Sequence, residues 1–111
     1  MTLLIIRMNV FPEKRIELSQ TISSLSVSTR MQKGCRHCDF WQSVEDENRL
    51  VLLEEWNTKK DFMTHLKSDN FKVIRGTRNL LQEPYEKTFH TTGRTVHPNP
   101  KSSKLTDEDA L

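Results

Sequence analysis

Cysteine, charge imbalance, long apolar runs and internal repeats are all scarce in this chain. Its two cysteines, Cys35 and Cys38, are too few and too close together to staple a secreted fold, and they fit a reducing compartment. The 17 Lys and Arg nearly cancel the 15 Asp and Glu, leaving a formal net charge of +2. So weak a field implies neither nucleic acid nor an anionic membrane as partner. The longest apolar run at the N-terminus, Leu3 to Ile6, falls far short of a signal-peptide core or of the roughly 20 residues that span a bilayer. With 111 residues the chain lacks room for a separate cofactor-binding domain, so any cofactor would have to share a single core. The expectation is one cytoplasmic domain.

Alternation and helical spacing then place the elements. Thr2 to Phe11 is rich in branched residues, with Leu4, Ile6, Met8 and Val10 on one face of a strand and Leu3, Ile5, Arg7 and Asn9 on the other. Pro12 and Glu13 suit a first helical turn, and Leu18, Ile22 and Leu25 recur at helical spacing, which predicts a helix over about Glu13 to Thr29. Its Ser and Thr content lowers intrinsic propensity, so packing against a sheet must supply most of its stability. Gly34 ends the connection. Cys35 to Val44 then alternates as a strand, with Cys38, Phe40 and Gln42 opposite His37, Asp39 and Trp41. After the polar turn Asp46-Glu47-Asn48 comes Arg49 to Trp56, the most apolar segment, most simply the second arm of an antiparallel hairpin.

Thr58 with Asp61 opens a capped helix carrying Phe62 and Leu66. Ser68 caps another, with Phe71, Ile74, Arg78 and Leu81 at helical spacing. Pro84 to Thr92 reads as a last strand with Tyr85 and Phe89 on one side. The order strand, helix, strand, strand, helix, strand is that of an α+β ferredoxin-like fold with an antiparallel sheet, spanning residues 1–92. Residues 93–111, with two prolines, charge and little apolar content, read as a mobile tail.

In such a fold helices cover one sheet face only, yet Leu3, Ile5, Val51 and Leu53 make the other face apolar as well. The simplest cover is a second copy about a two-fold axis, so a homodimer through the sheet face is expected, its two sheets forming a dimeric α/β barrel.

The run from Glu55 to Phe71, with Trp56, His65, Ser68 and Phe71 in place, resembles the E-x-W … H-x-x-S-x-x-F signature of the antibiotic biosynthesis monooxygenase domain family. Gly34-Cys35 resembles the Gly-Cys that commonly opens the second strand there. The resemblance implies a dimeric α+β barrel and, for characterised relatives, a monooxygenase acting on quinols or polycyclic aromatic phenols without metal or flavin. Such chemistry requires deprotonation of the phenol in an apolar, water-excluding pocket, so that the anion can reduce dioxygen. His65 is the candidate base. Asn9 would orient a hydroxyl or oxygen, and Arg75 would stabilise a developing oxyanion. Trp56, Phe62, Phe71 and Trp41 would wall an apolar aromatic substrate. Each of these residues also has a plain packing explanation.

Other chemistry is disfavoured. Cys35-Arg36-His37-Cys38 lacks a second ligand pair for zinc, only scattered His90 and His97 being left, and cysteines three apart on a regular strand point to opposite faces. A thioredoxin-like role would need a helix N-terminus to activate the thiol. Haem degradation is disfavoured because the positions where that branch places its Trp and haem-ligating His read His65 and Arg75. Cys38 stands where an aromatic often follows Gly-Cys-x-x, and Phe62 where some aromatic-oxidising members carry a polar aromatic. The remaining alternative is a non-catalytic dimer of the same fold that binds a small apolar molecule or acts as an interaction module.

Overall fold

A computed structural model describes residues 1–91; the expected tail, 93–111, lies outside the described residues. The elements are β1 (Thr2–Asn9), a 3-10 turn (Pro12–Lys14), α1 (Arg15–Arg30), β2 (Cys35–Gln42), β3 (Arg49–Trp56), α2 (Lys59–Leu66), α3 (Asp69–Gly76), a second 3-10 turn (Thr77–Leu80) and β4 (Glu86–Thr91). The strands form one antiparallel sheet in the order β2-β3-β1-β4. This is the ferredoxin-like arrangement, with the helices on one face and the sheet not closed on itself.

Local chemistry sets the element boundaries. Thr58 accepts from the Asp61 N–H at 3.0 Å and opens α2. Ser68 accepts from the Phe71 N–H at 3.3 Å to open α3 and donates to the His65 carbonyl at 2.6 Å, closing α2. One hydroxyl thereby ends one helix and starts the next, satisfying backbone groups that helix ends leave unpaired. The spacing that carried Phe71, Ile74, Arg78 and Leu81 as one helix breaks at Gly76. There Thr77 donates to the Ile74 carbonyl at 2.6 Å, the chain tightens into the 3-10 turn, and Leu81 bridges to Val10 beyond the end of β1.

The core lies between helices and sheet. Leu4, Ile6 and Met8 of β1, Leu50, Leu52 and Trp56 of β3, Leu18 and Ile22 of α1, and Phe62, Leu66, Phe71 and Ile74 of α2 and α3 are all buried. On α1 the buried stripe continues through Ser26 and Thr29 rather than Leu25. Ser26 satisfies its hydroxyl on the Ile22 carbonyl at 2.8 Å. The other sheet face is open: Leu3, Ile5, Val51 and Leu53 are only half-buried and Trp41 is 54% exposed.

β2 departs from simple alternation. A bulge between Cys35 and His37 leaves Arg36 unpaired, so Cys35 lies opposite Trp56 and Cys38 opposite Glu54. Because Glu54 and Trp56 share the helix-facing side, both cysteines face the core, not opposite sides. The extra residue resets the two-residue period.

Gly34 is the one residue with positive φ (84°) among those described. A Cβ there would overlap the Asp61 carboxylate at the start of α2. Its carbonyl accepts from Asn57 N–H at 2.8 Å, tying the α1–β2 connection to the end of β3. Gly34→Ala is expected to cost at least about 1–2 kcal/mol from the left-handed backbone alone, with the collision adding to it. In denaturant titrations, adding Asp61→Ala should recover only the carboxylate's share of the collision, because the Cβ of residue 61 stays 2.6 Å from the added methyl.

Candidate active site

Two-residue periodicity on β3 sends Glu54 and Trp56 into the interior together, and α2 sets His65 above them. All three side chains are essentially inaccessible. His65 Nε2 lies 2.9 Å from Glu54 Oε1, a close approach without the alignment of a completed hydrogen bond. Trp56 Nε1 donates to the same oxygen at 3.1 Å. The imidazole stacks on the Trp56 ring, with centroids 4.5 Å apart, and meets the Phe71 ring edge-on at 5.4 Å. Its other nitrogen, Nδ1, is 2.7 Å from Oε1 of Gln32, which reaches in from the α1–β2 connection.

A buried carboxylate is tolerated only when paired and hydrogen-bonded. Glu54 is half provided for, because Oε1 has Trp56 and His65 while Oε2 is buried without a partner. Glu54 also lines a packing gap, too narrow for a water molecule, between the sheet, α1 and α3, together with Ile22, Ser26, Thr29, Cys38 and Ile74. The arrangement can therefore hold or pass a proton beside an apolar space, with Oε2 as its unengaged acceptor. The gap has none of the roughly 300–1,000 Å³ of an ordinary ligand pocket, so a ring-sized ligand would have to part the helices from the sheet.

The expected site residues divide into two groups. Trp56, His65 and Phe71 are in mutual contact through the His65 ring. Arg75 joins them indirectly: its guanidinium carbon sits 5.1 Å from the Phe71 centroid, and its Nη2 donates to the Leu66 carbonyl at 2.9 Å. Phe62 is in the same core but stacks on Phe89 at 5.0 Å, away from the imidazole. Asn9 and Trp41 lie on the open sheet face, lining a groove of about 440 Å³ with Arg7, Arg49, Val51 and Pro84. There Asn9 donates to Glu83 at 3.2 Å. The sheet thus separates these two residues from His65.

Two central residues were not singled out from the sequence. Glu54 carries a visible signal, being a charged residue in phase with Leu50, Leu52 and Trp56 on the most apolar strand. It is also Glu54, two residues before Trp56, that fits the acid of E-x-W, whereas Glu55 lies on the open face with Arg36 and His37. Gln32 carries none, since a polar residue in a connection is unremarkable until the fold brings it to His65.

The thiols are not activated nucleophiles. Burial, reinforced by the Glu54 charge, pushes Cys35 up to about 11 and Cys38 up to about 12, so both stay protonated at neutral pH. Among the described residues no three His, Cys, Asp or Glu side chains are grouped to hold a metal ion, and no helix is long and apolar enough to cross a membrane.

Comparison with known proteins places these features in context. The model of the family described as "Antibiotic biosynthesis monooxygenase" matches residues 1–76. The chain is 32% identical over 79 residues to "Putative monooxygenase YcnE" of Bacillus subtilis (strain 168), a stretch covering 69% of this chain and 82% of that protein. Among solved structures, a conserved protein from Methanosarcina mazei Go1 superposes with a TM-score of 0.76 at 28% identity, covering 80% of this chain and 89% of that one. A "Putative antibiotic biosynthesis monooxygenase" from Nitrosomonas europaea gives a TM-score of 0.78 at 21% identity, over 85% of this chain and all of that one. The last likeness speaks to fold alone.

Proposed function

Because this chain belongs to the antibiotic biosynthesis monooxygenase family, we propose that it is a cofactor-independent monooxygenase that oxidises a quinol or polycyclic aromatic phenol with dioxygen. The observation that carries this reading is the fully buried Glu54–His65 pair at 2.9 Å, stacked on Trp56 and leaving Glu54 Oε2 unpartnered. A phenolic hydroxyl placed against Oε2 donates to it and passes its proton to the pair, which His65 stabilises in the protonated form. The electron-rich anion left behind transfers an electron to dioxygen. Radical recombination forms the carbon–oxygen bond of a peroxide, the pair returns its proton to that peroxide, and cleavage of the O–O bond with loss of water leaves a quinone that has gained one atom of the dioxygen, the other leaving in the water. Trp56 and Phe71 supply flat apolar surface for the ring, and exclusion of water protects the anion. Arg75, turned toward the Leu66 carbonyl, would need to swing to reach an oxyanion.

The apolar outer face of β1 and β3 supports a homodimer, with a second copy covering Leu3, Ile5, Val51 and Leu53. Asn9 and Trp41 then belong to the groove beside that interface rather than to proton transfer. Two unpaired thiols on one face suit a cytoplasmic setting.

The test is oxygen consumption by the purified full chain with a panel of hydroquinones and anthrone-type phenols. Uptake above background that is lost in His65→Ala is the expected result; none across the panel, or uptake unchanged in that variant, overturns the enzyme as described. A second reading is favoured by the closed interior, in which Glu54 and His65 are inaccessible. On that reading the pair only fastens α2 to the sheet, and the dimer binds an apolar small molecule without turning it over. Saturable binding of a panel phenol without oxygen uptake would select it.

A further inference from the structure

We propose that Gln32 is a positioning residue that follows the proton count of the Glu54–His65 pair by turning its side-chain amide over. The inference starts from Nδ1 of His65, which lies 2.7 Å from the Gln32 amide oxygen. An amide oxygen cannot donate, so this orientation of the amide suits a ring with a hydrogen on Nδ1. On the other side of the ring, Nε2 and Glu54 Oε1 are 2.9 Å apart. Two bare acceptors that close would repel, so the approach suits a second hydrogen on Nε2. In that state the pair holds two protons and no net charge.

Removing one proton forces a rearrangement. A carboxylate facing a neutral imidazole is best satisfied when the remaining N–H is on Nε2 and points at Oε1. Nδ1 then becomes a bare acceptor, and a Gln32 oxygen facing it would be repelled. Rotation of the amide by half a turn presents its NH2 group instead. Glutamine can thus satisfy Nδ1 in both proton states. A carboxylate at this position could satisfy only the state with a hydrogen on Nδ1, and an apolar side chain could satisfy neither.

The setting leaves that one motion free. The Gln32 backbone is held by its N–H on the Thr29 carbonyl at 3.0 Å and by Cys35 N–H on its own carbonyl at 3.1 Å. Gln32 itself is half-buried rather than sealed in the core. The charged and titratable groups around the pair on the other elements are few. Cys35 and Cys38 of β2 feel the Glu54 charge. Arg30 of α1 donates to the Cys38 carbonyl at 2.8 Å, and Arg75 of α3 lies over the Phe71 ring that His65 touches. None of them is hydrogen-bonded to Nδ1, so among the described residues Gln32 alone reports to that nitrogen.

The catalytic consequence rests on the proton-transfer reading above, whereas the exchange of hydrogen bonds does not, and nitrogen-15 spectra of the His65 ring separate the two. The full chain with labelled histidine is titrated as wild type, Gln32→Glu and Gln32→Met, with thermal melts confirming that each is folded. In wild type the hydrogen on Nδ1 should be lost, leaving one on Nε2, as the pair loses its proton. In Gln32→Glu it should stay on Nδ1 to a pH at least one unit higher, roughly a tenfold change in proton affinity. Gln32→Met should weaken the preference for hydrogen on Nε2 once the pair has lost a proton, because nothing then donates to Nδ1. The proposal is overturned if all three proteins share one pattern of ring protonation and one midpoint, or if the wild-type ring keeps its hydrogen on Nδ1 across its folded pH range. Where oxygen uptake is measurable, its pH profile should move with the ring midpoint in Gln32→Glu. Uptake absent from all three proteins would remove the enzymatic reading and leave the spectroscopic result to decide the role of Gln32.

Discussion

Glu54→Gln is expected to lower substrate turnover by about 10²–10⁴-fold, the usual share of a positioned acid–base group, in a protein that still folds. The replacement has the same shape. With its amide oxygen in the place of Oε1 it can accept from Trp56 Nε1, as Glu54 does at 3.1 Å, and from a hydrogen on His65 Nε2, while its NH2 group takes the unpartnered place of Oε2. It cannot take up a proton from a substrate hydroxyl. Glu54→Ala is a different experiment, because it strands both the indole N–H and the imidazole in a space closed to water. Removing one member of such a buried pair costs about 3–5 kcal/mol. Turnover measured as oxygen uptake beside a melting curve separates the two effects. A Glu54→Gln protein within a few-fold of wild type would assign the proton transfer elsewhere.

Leu53→Asp is expected to split the proposed dimer. Leu53 pairs directly with Ile5 across the two central strands, on the face that no helix covers. In a two-fold interface each introduced carboxylate is buried on apolar surface, and two copies enter together. A cost of several kcal/mol for buried, unpaired like charges raises the dissociation constant by about 10²–10³-fold or more. The single chain should fold regardless, since this position is only half-buried before any partner arrives. Sedimentation equilibrium at micromolar concentration reads the result, with Val44→Asp, on a fully exposed side chain, as the control that should change nothing. A wild-type monomer, or a Leu53→Asp dimer as tight as wild type, removes the barrel assembly.

Much of the fold can be read along the chain, and particular residues show why. The alternation of Leu4, Ile6 and Met8 with Leu3, Ile5 and Arg7 defines β1 and its two faces, because successive strand residues point to opposite sides whatever lies around them. Thr58 and Ser68 mark helix starts through hydrogen bonds that reach only three residues. The Trp56, His65 and Phe71 cluster was legible because strand and helix periods place residues of one short segment on facing surfaces. Arg36 shows where that reasoning stops. A single bulged residue leaves the composition of β2 unaltered, yet it turns Cys35 toward the same side as Cys38.

By itself, then, the sequence determined the elements, their order, the family signature and the apolar second face, all of which rest on patterns repeating within a few residues. Only the tertiary structure decided what His65 faces. Glu54 reaches it from a strand and Gln32 from a connection 33 positions away, while Asn9 and Trp41 end on the far side of the sheet. Which side chains meet depends on the summed twist, bulge and loop geometry between them, and no local period encodes that sum.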